Sequence, residues 1–129
     1  MGKAKLILLV DDDRDFLEQN RGVLAARGYR VAGFSDPGAA LRAAEGEPPD
    51  LLVSDLMMKA LDSGFTLARA IKSRFPAVPV ILVTAASSQR GFDFSPRGPE
   101  DLAAMNADAF FDKPVDPAAL IAKVEELLA

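Results

Sequence analysis

Apolar residues recur in five short runs, Lys5–Val10, Tyr29–Phe34, Asp50–Ser54, Val78–Val83 and Asp108–Phe111, each of strand length and rich in Val, Ile, Leu or Phe. The stretches between them carry a helical period. Asp13 or Asp12 is placed to cap a helix whose inner stripe is Phe16, Leu17, Asn20, Val23 and Leu24 and which ends near Gly28. Asp36-Pro37 supplies a cap followed by a first-turn proline, with Leu41 and Ala44 as the inner face and Gly46 as the stop. A third helix is predicted from about Gly64, with Phe65, Ala68, Ile71 and Phe75 on one side and Pro76 as its terminator. The last starts at Asp116-Pro117 and buries Leu120, Ile121, Val124, Leu127 and Leu128. One connection, Ser87 to Ala107, breaks this rhythm: only Pro99 to Met105 looks helical, which predicts a short or irregular fourth helix.

Strands alternating with helices predict an α/β fold, a doubly wound five-stranded parallel sheet covered on both faces. With 129 residues, half of them hydrophobic, the chain is expected to form a single domain over residues 1–129.

Charge and composition remove several functions. Fifteen basic against nineteen acidic residues leave a net charge of -4, so neither nucleic acid nor an anionic membrane is an expected partner. There is no Cys and no His, which excludes thiolate and imidazole metal sites, thiol catalysis and a Ser/His/Asp triad. The apolar run Leu6–Val10 is too short for a signal peptide, and a cytoplasmic location is expected.

The informative chemistry follows the apolar runs. The first ends in Asp11-Asp12-Asp13, the third in Asp55, the fourth in Thr84 and the fifth in Asp112-Lys113-Pro114. In an open parallel sheet these positions share the carboxyl edge, where ligands bind beside the strands at which the winding reverses. With strand order 2-1-3-4-5 the first and third strands are neighbours, and Asp11, Asp12 and Asp55 converge. Carboxylates so close repel one another, so a cation is expected among them, and an oxygen-only donor set selects Mg²⁺, with Mn²⁺ as the alternative. Lys113 adds a positive charge and Thr84 a hydroxyl donor, which together suit phosphoryl transfer. Asp13 is read as the helix cap.

Four motifs, Val10-Asp11-Asp12, Asp55-Leu56-Met57-Met58, Val83-Thr84-Ala85 and Asp112-Lys113-Pro114, occur in the order and at the strand ends seen in one family. On them the chain resembles the receiver domains of two-component response regulators, the CheY-like, stand-alone type, from Leu6 to Leu128. The resemblance implies a flavodoxin-like sheet and a role in phosphorelay signal transduction. It implies that Asp55 is the nucleophile that takes a phosphoryl group from a histidine kinase or phosphotransfer protein, that Asp12 is the direct metal ligand and that Asp11 acts largely through water. The Met57 carbonyl completes the protein's share of the coordination. Lys113 pairs with the carboxylate and then with the phosphoryl oxygen, Thr84 swings toward that group with the Ala85 N–H beside it, and Phe110 stands where the family keeps a switch aromatic. The lysine's aim in the family uses a cis bond, which Lys113-Pro114 suits. Such a domain is not an enzyme beyond assisting its own phosphorylation and dephosphorylation, and it switches the binding of a downstream protein.

Three features depart from the family pattern. Lys59 stands where a proline is usual, Gly64 comes one residue late, and the segment between Thr84 and Lys113 is long and weakly helical. Three other functions compete. A phosphatase of the haloacid-dehalogenase type would use Asp11 and Asp13, but Asp15 replaces its threonine and no cap domain has room. A flavin carrier would need a glycine- and hydroxyl-rich phosphate loop where three aspartates stand. A receiver-like interaction domain without phosphorylation would not need the full acid, threonine and lysine set.

Overall fold

A computed structural model describes residues 4–56, 63–84 and 99–129. Its elements in chain order are β1 (Leu6–Val10), α1 (Arg14–Ala26), β2 (Arg30–Phe34), α2 (Pro37–Gly46), β3 (Leu51–Asp55), α3 (Ser63–Arg74), β4 (Val80–Thr84), α4 (Pro99–Ala104), β5 (Ala109–Asp112) and α5 (Pro117–Leu128). All strand pairs are parallel, as the alternating pattern predicts, and the sheet order is β2-β1-β3-β4-β5, the one expected of a flavodoxin-like sheet.

Strand residues alternate between two apolar layers. Leu8, Val10, Leu52, Val80 and Leu82 face Ala40 and Ala44 of α2 and Leu67, Ala68 and Ile71 of α3. Ile7, Leu9, Leu51, Val53, Ile81 and Val83 face Phe16 and Leu24 of α1 and Leu120 and Val124 of α5. Both faces are therefore buried, which is why the inner strands read as continuous apolar runs rather than alternating ones.

The helices begin where the sequence places their caps. Asp13, not Asp12, caps α1, its carboxylate accepting from the Asp15 and Phe16 amides. Asp36 and Asp116 cap α2 and α5 from the residue before a first-turn proline. Gly28 closes α1 with φ of 93°, a conformation that an L side chain would strain, while its N–H donates to the Ala25 carbonyl. Asn106 does the same after α4, with φ of 58° and a bond to Ala103.

Several boundaries differ from expectation for a readable reason. The first and third strands were expected from Lys5 and Asp50, but each begins one residue later. Asp50 donates its own N–H to the Leu6 carbonyl at 2.8 Å and turns its carboxylate onto the Leu6 N–H at 2.7 Å, so its side chain stays out of the core. Val78 donates to Phe75 in the turn that ends α3, so β4 starts at Val80 and takes in Thr84. On α2 the fully buried pair is Ala40 and Ala44, with Leu41 only partly buried. The close approach of α2 to the sheet favours the small side chains. Likewise Leu17 on α1 is partly rather than fully buried. The helix expected at Pro99–Met105 is present as the six-residue α4. The rest of the irregular segment, residues 85–98, and the start of the loop after β3, residues 57–62, lie outside the described residues.

Candidate functional site

The sheet register brings the singled-out residues to one edge. Val10 pairs with Ser54, so Asp11 and Asp55 are level on neighbouring strands. Asp55 pairs with Val83, and Thr84 with Asp112, which places Lys113 one residue further on β5's side. Three backbone bonds continue the ladder past the strand ends and hold these positions: Asp11 N–H to the Phe34 carbonyl at 3.0 Å, Leu56 N–H to Val83 at 2.7 Å, and Lys113 N–H to Thr84 at 2.9 Å. The Lys113–Pro114 peptide is cis.

Carboxylate oxygens of Asp11, Asp12 and Asp55 all lie within 4.8 Å of one another. Asp11 is fully buried, Asp55 is 5 % exposed and Asp12 faces solvent. The Lys113 ammonium sits 2.8 Å from Asp11 Oδ2 and 3.8 Å from Asp55 Oδ2, so it leans toward Asp11. The other Asp11 oxygen, Oδ1, accepts the Asp13 N–H at 2.8 Å. Burial pushes the Asp11 carboxyl above its ordinary value, and the Lys113 ammonium and the Asp13 amide oppose that shift without cancelling it.

Lys113 therefore faces two of three clustered acidic groups, and the negative charge of the cluster sits partly out of water. Hard oxygen donors at this separation fit a divalent cation of the Mg²⁺ or Mn²⁺ type, which would offset that charge. The structure thus brings together Asp11, Asp12, Asp55 and Lys113. Thr84 lies at the same edge and is fully buried, but it follows Val80 and Leu82 along β4, the positions that face the α2–α3 layer. Phe110 is partly buried in that layer and pairs with Leu82 in the ladder. Met57 and Ala85, singled out from the sequence, lie outside the described residues. Asp13, on which the dehalogenase-type alternative depended, uses its carboxylate to cap α1.

Sequence reasoning missed one contributor. Phe16 was read as a core residue only, yet the Lys113 ammonium lies over its ring, 4.5 Å from the centroid. The residue's helical spacing is equally that of a core position, so nothing in the pattern distinguishes the two roles.

Comparison with known proteins agrees with this geometry. Residues 7–125 match the family described as the response regulator receiver domain. The chain is 33% identical over 124 residues to the alkaline phosphatase synthesis transcriptional regulatory protein PhoP of Bacillus subtilis, covering 96% of this chain and 48% of that protein. It is 33% identical over 101 residues to the DNA-binding transcriptional regulator NtrC of Escherichia coli, covering 71% of this chain and 21% of that one. A CheY-like receiver domain structure from Methanospirillum hungatei superposes with a TM-score of 0.82 at 28% identity, over 97% of this chain and 94% of the other. The chain spans about half the length, or less, of these curated relatives. Because the relatives are transcriptional regulators, one of them named as DNA-binding, they lend no support to the expectation that nucleic acid plays no part. Among the described residues no helix is long and apolar enough to cross a membrane.

Proposed function

Since this chain belongs to the response regulator receiver domain family, we propose that it accepts a phosphoryl group on Asp55 and relays that event to a downstream partner. The observation that carries this reading is the convergence of the Asp11, Asp12 and Asp55 carboxylates within 4.8 Å, beside an ammonium 3.8 Å from Asp55. The donor is a histidine kinase or phosphotransfer protein, the compartment is the cytoplasm, and the domain's only catalysis is of its own phosphorylation and its reversal.

In the transfer an Asp55 carboxylate oxygen attacks phosphorus. The new O–P bond forms as the donor's N–P bond breaks, and the electron pair stays on the imidazole nitrogen, which then takes up a proton. Asp11, Asp12 and Asp55 would hold a Mg²⁺ ion, which would supply positive charge opposite the negative charge that the phosphoryl oxygens carry in the transition state. Lys113 is poised to follow the charge: a small shift away from Asp11 brings its ammonium to an oxygen of the group on Asp55. Phosphorylation adds about -1.5 to -2 charges and three acceptor oxygens at a buried edge. Thr84 supplies a hydroxyl there, and Phe110, in the layer toward which Thr84 alternates, is the side chain placed to respond to its movement.

Incubation with acetyl phosphate and Mg²⁺, followed by intact mass and mapping of the modified residue, tests the proposal. A single label on Asp55 is expected. No label, or a stoichiometric label on another residue, would refute it. A net charge of -4 disfavours direct nucleic-acid contact by these 129 residues.

A further inference from the structure

We propose that Phe16 is a positioning residue for the phosphorylation reaction: its ring holds the Lys113 ammonium within reach of Asp55. This rests on the reading of Asp55 as the phosphoryl acceptor. Among the described residues the ammonium faces Asp11 Oδ2 at 2.8 Å, Asp55 Oδ2 at 3.8 Å and the ring of Phe16 at 4.5 Å from its centroid. The Lys113 side chain is only 15% exposed, so little water remains to stabilise the charge on its far side. An aromatic face attracts a desolvated cation through its quadrupole but takes up none of the N–H protons as a carboxylate would. A fourth acid in its place would draw the lysine off Asp55 and add to the negative charge; an aliphatic side chain would leave the ammonium unsupported.

The ring is also registered to the acids it serves. Asp13 donates its N–H to Asp11 Oδ1 at 2.8 Å, while its own Oδ1 accepts the Asp15 and Phe16 amides at 3.0 and 3.3 Å. One capping residue thus ties the buried carboxylate to the backbone that carries the ring. Phe16 is itself buried in the layer of Ile7, Leu9 and Leu120, which fixes it from below.

The test compares Phe16→Leu, Phe16→Tyr and a pentafluorophenylalanine placed at position 16, which keeps the shape of the ring and inverts its quadrupole. Phosphorylation by acetyl phosphate is followed against donor concentration, and the Lys113 ε-methylene protons are followed by NMR. In the parent chain these protons are displaced upfield by the ring current. Phe16→Leu abolishes that displacement and lowers the maximal rate about three- to tenfold, with the half-saturating donor concentration changed by less than about twofold. Phe16→Tyr recovers both, and the fluorinated ring lowers the rate while keeping the fold. In a Lys113→Met background, Phe16→Leu changes the rate by less than about twofold, because the group it acts through is gone.

An unchanged maximal rate with the fluorinated ring or with Phe16→Leu overturns the proposal. So does an equal loss in the Lys113→Met background, which would mean a purely structural effect. Absence of any label on Asp55 in the parent would defeat the phosphorylation reading instead. The NMR measurement still decides the stack in that case, and ordinary shifts for the Lys113 ε protons would overturn it.

Discussion

Replacing Asp11 with Asn should stabilise the fold at neutral pH in the absence of divalent cations, although it removes an ion pair. At an effective dielectric constant near 20 the contact of Asp11 with Lys113 at 2.8 Å is worth ~6 kcal/mol, and repulsion from Asp55 at no more than 4.8 Å costs at least ~3.5 kcal/mol. Asp12 is exposed and adds a smaller, solvent-screened repulsion. The residual attraction is small beside the several kcal/mol needed to bury a carboxylate fully. Burial is accordingly the largest cause of the raised Asp11 pKa, with Asp12 adding to it and Lys113 and the Asp13 amide opposing it. The sign of the pH dependence follows. The folded state holds the Asp11 proton more tightly than the unfolded chain, so stability falls as pH rises from 3.8 through the raised folded value and stays low above it.

An amide at this position resembles the protonated acid. It keeps an oxygen for the Asp13 N–H, and Lys113 turns to Asp55, while its NH₂ gains no good partner. We expect a net gain of ~1–2 kcal/mol at pH 7. For 129 residues that is about 4–8 °C in Tm. Thermal and urea unfolding of both proteins in chelator, from pH 7 down to below 3.8, measures it. The advantage of Asp11→Asn should shrink as Asp11 protonates in the parent. A destabilised variant at pH 7, or a difference that does not change with pH, would refute the reasoning.

Asp55→Asn should abolish labelling by acetyl phosphate with the fold nearly intact, as read by intact mass and circular dichroism. Mg²⁺ at about a hundred times its Kd should raise parental stability by ~2.7 kcal/mol, or ~10 °C in Tm, by mass action. In a metal titration Asp12→Ala should lose more affinity than Asp11→Ala, since Asp12 is open to an arriving ion and Asp11 is already paired to Lys113; equal losses would contradict the division of roles. At the opposite edge, Asp108→Ala should cost ~2–3 kcal/mol in urea unfolding, more than Asp50→Ala. Asp108 Oδ2 accepts the fully buried Val80 amide at 2.8 Å and the Lys72 ammonium at 2.9 Å, whereas among the described residues the Asp50 carboxylate serves the Leu6 amide alone.

The fold was legible because the three inner strands are buried on both faces and α1, α2, α3 and α5 each start at an Asp cap or stop at a Gly or Pro. The acid cluster was legible because parallel strands send every carboxyl end to one edge, so residues far apart in the chain converge without any local signal. What stayed hidden depends on distance rather than period. Asp50 and Asp108 look like the first residues of strands, but each sits just before one, donating its N–H to a neighbouring strand and turning its carboxylate onto that strand's first amide. Leu41 outranks Ala40 in hydrophobicity, but the spacing of α2 from the sheet buries the alanine. The pairing of Phe16 with Lys113 joins α1 to the end of β5, and no pattern within either segment encodes it.

The three consecutive aspartates after β1 show how one short segment divides opposing demands. A phosphoryl acceptor at this edge needs concentrated negative charge to hold a cation, and that charge works against folding. Asp11 is buried where Lys113 and the Asp13 amide restrain it. Asp12 remains in water, where its charge costs little and stays accessible. Asp13 leaves the cluster and stabilises α1 through its cap, and with it the placement of Phe16. Side-chain direction, set by the turn from strand to helix, therefore separates three chemically identical residues into an ion-paired buried acid, an exposed acid and a structural cap. The destabilisation is confined to the first of these, at the end of a sheet whose two apolar layers supply the stability to tolerate it.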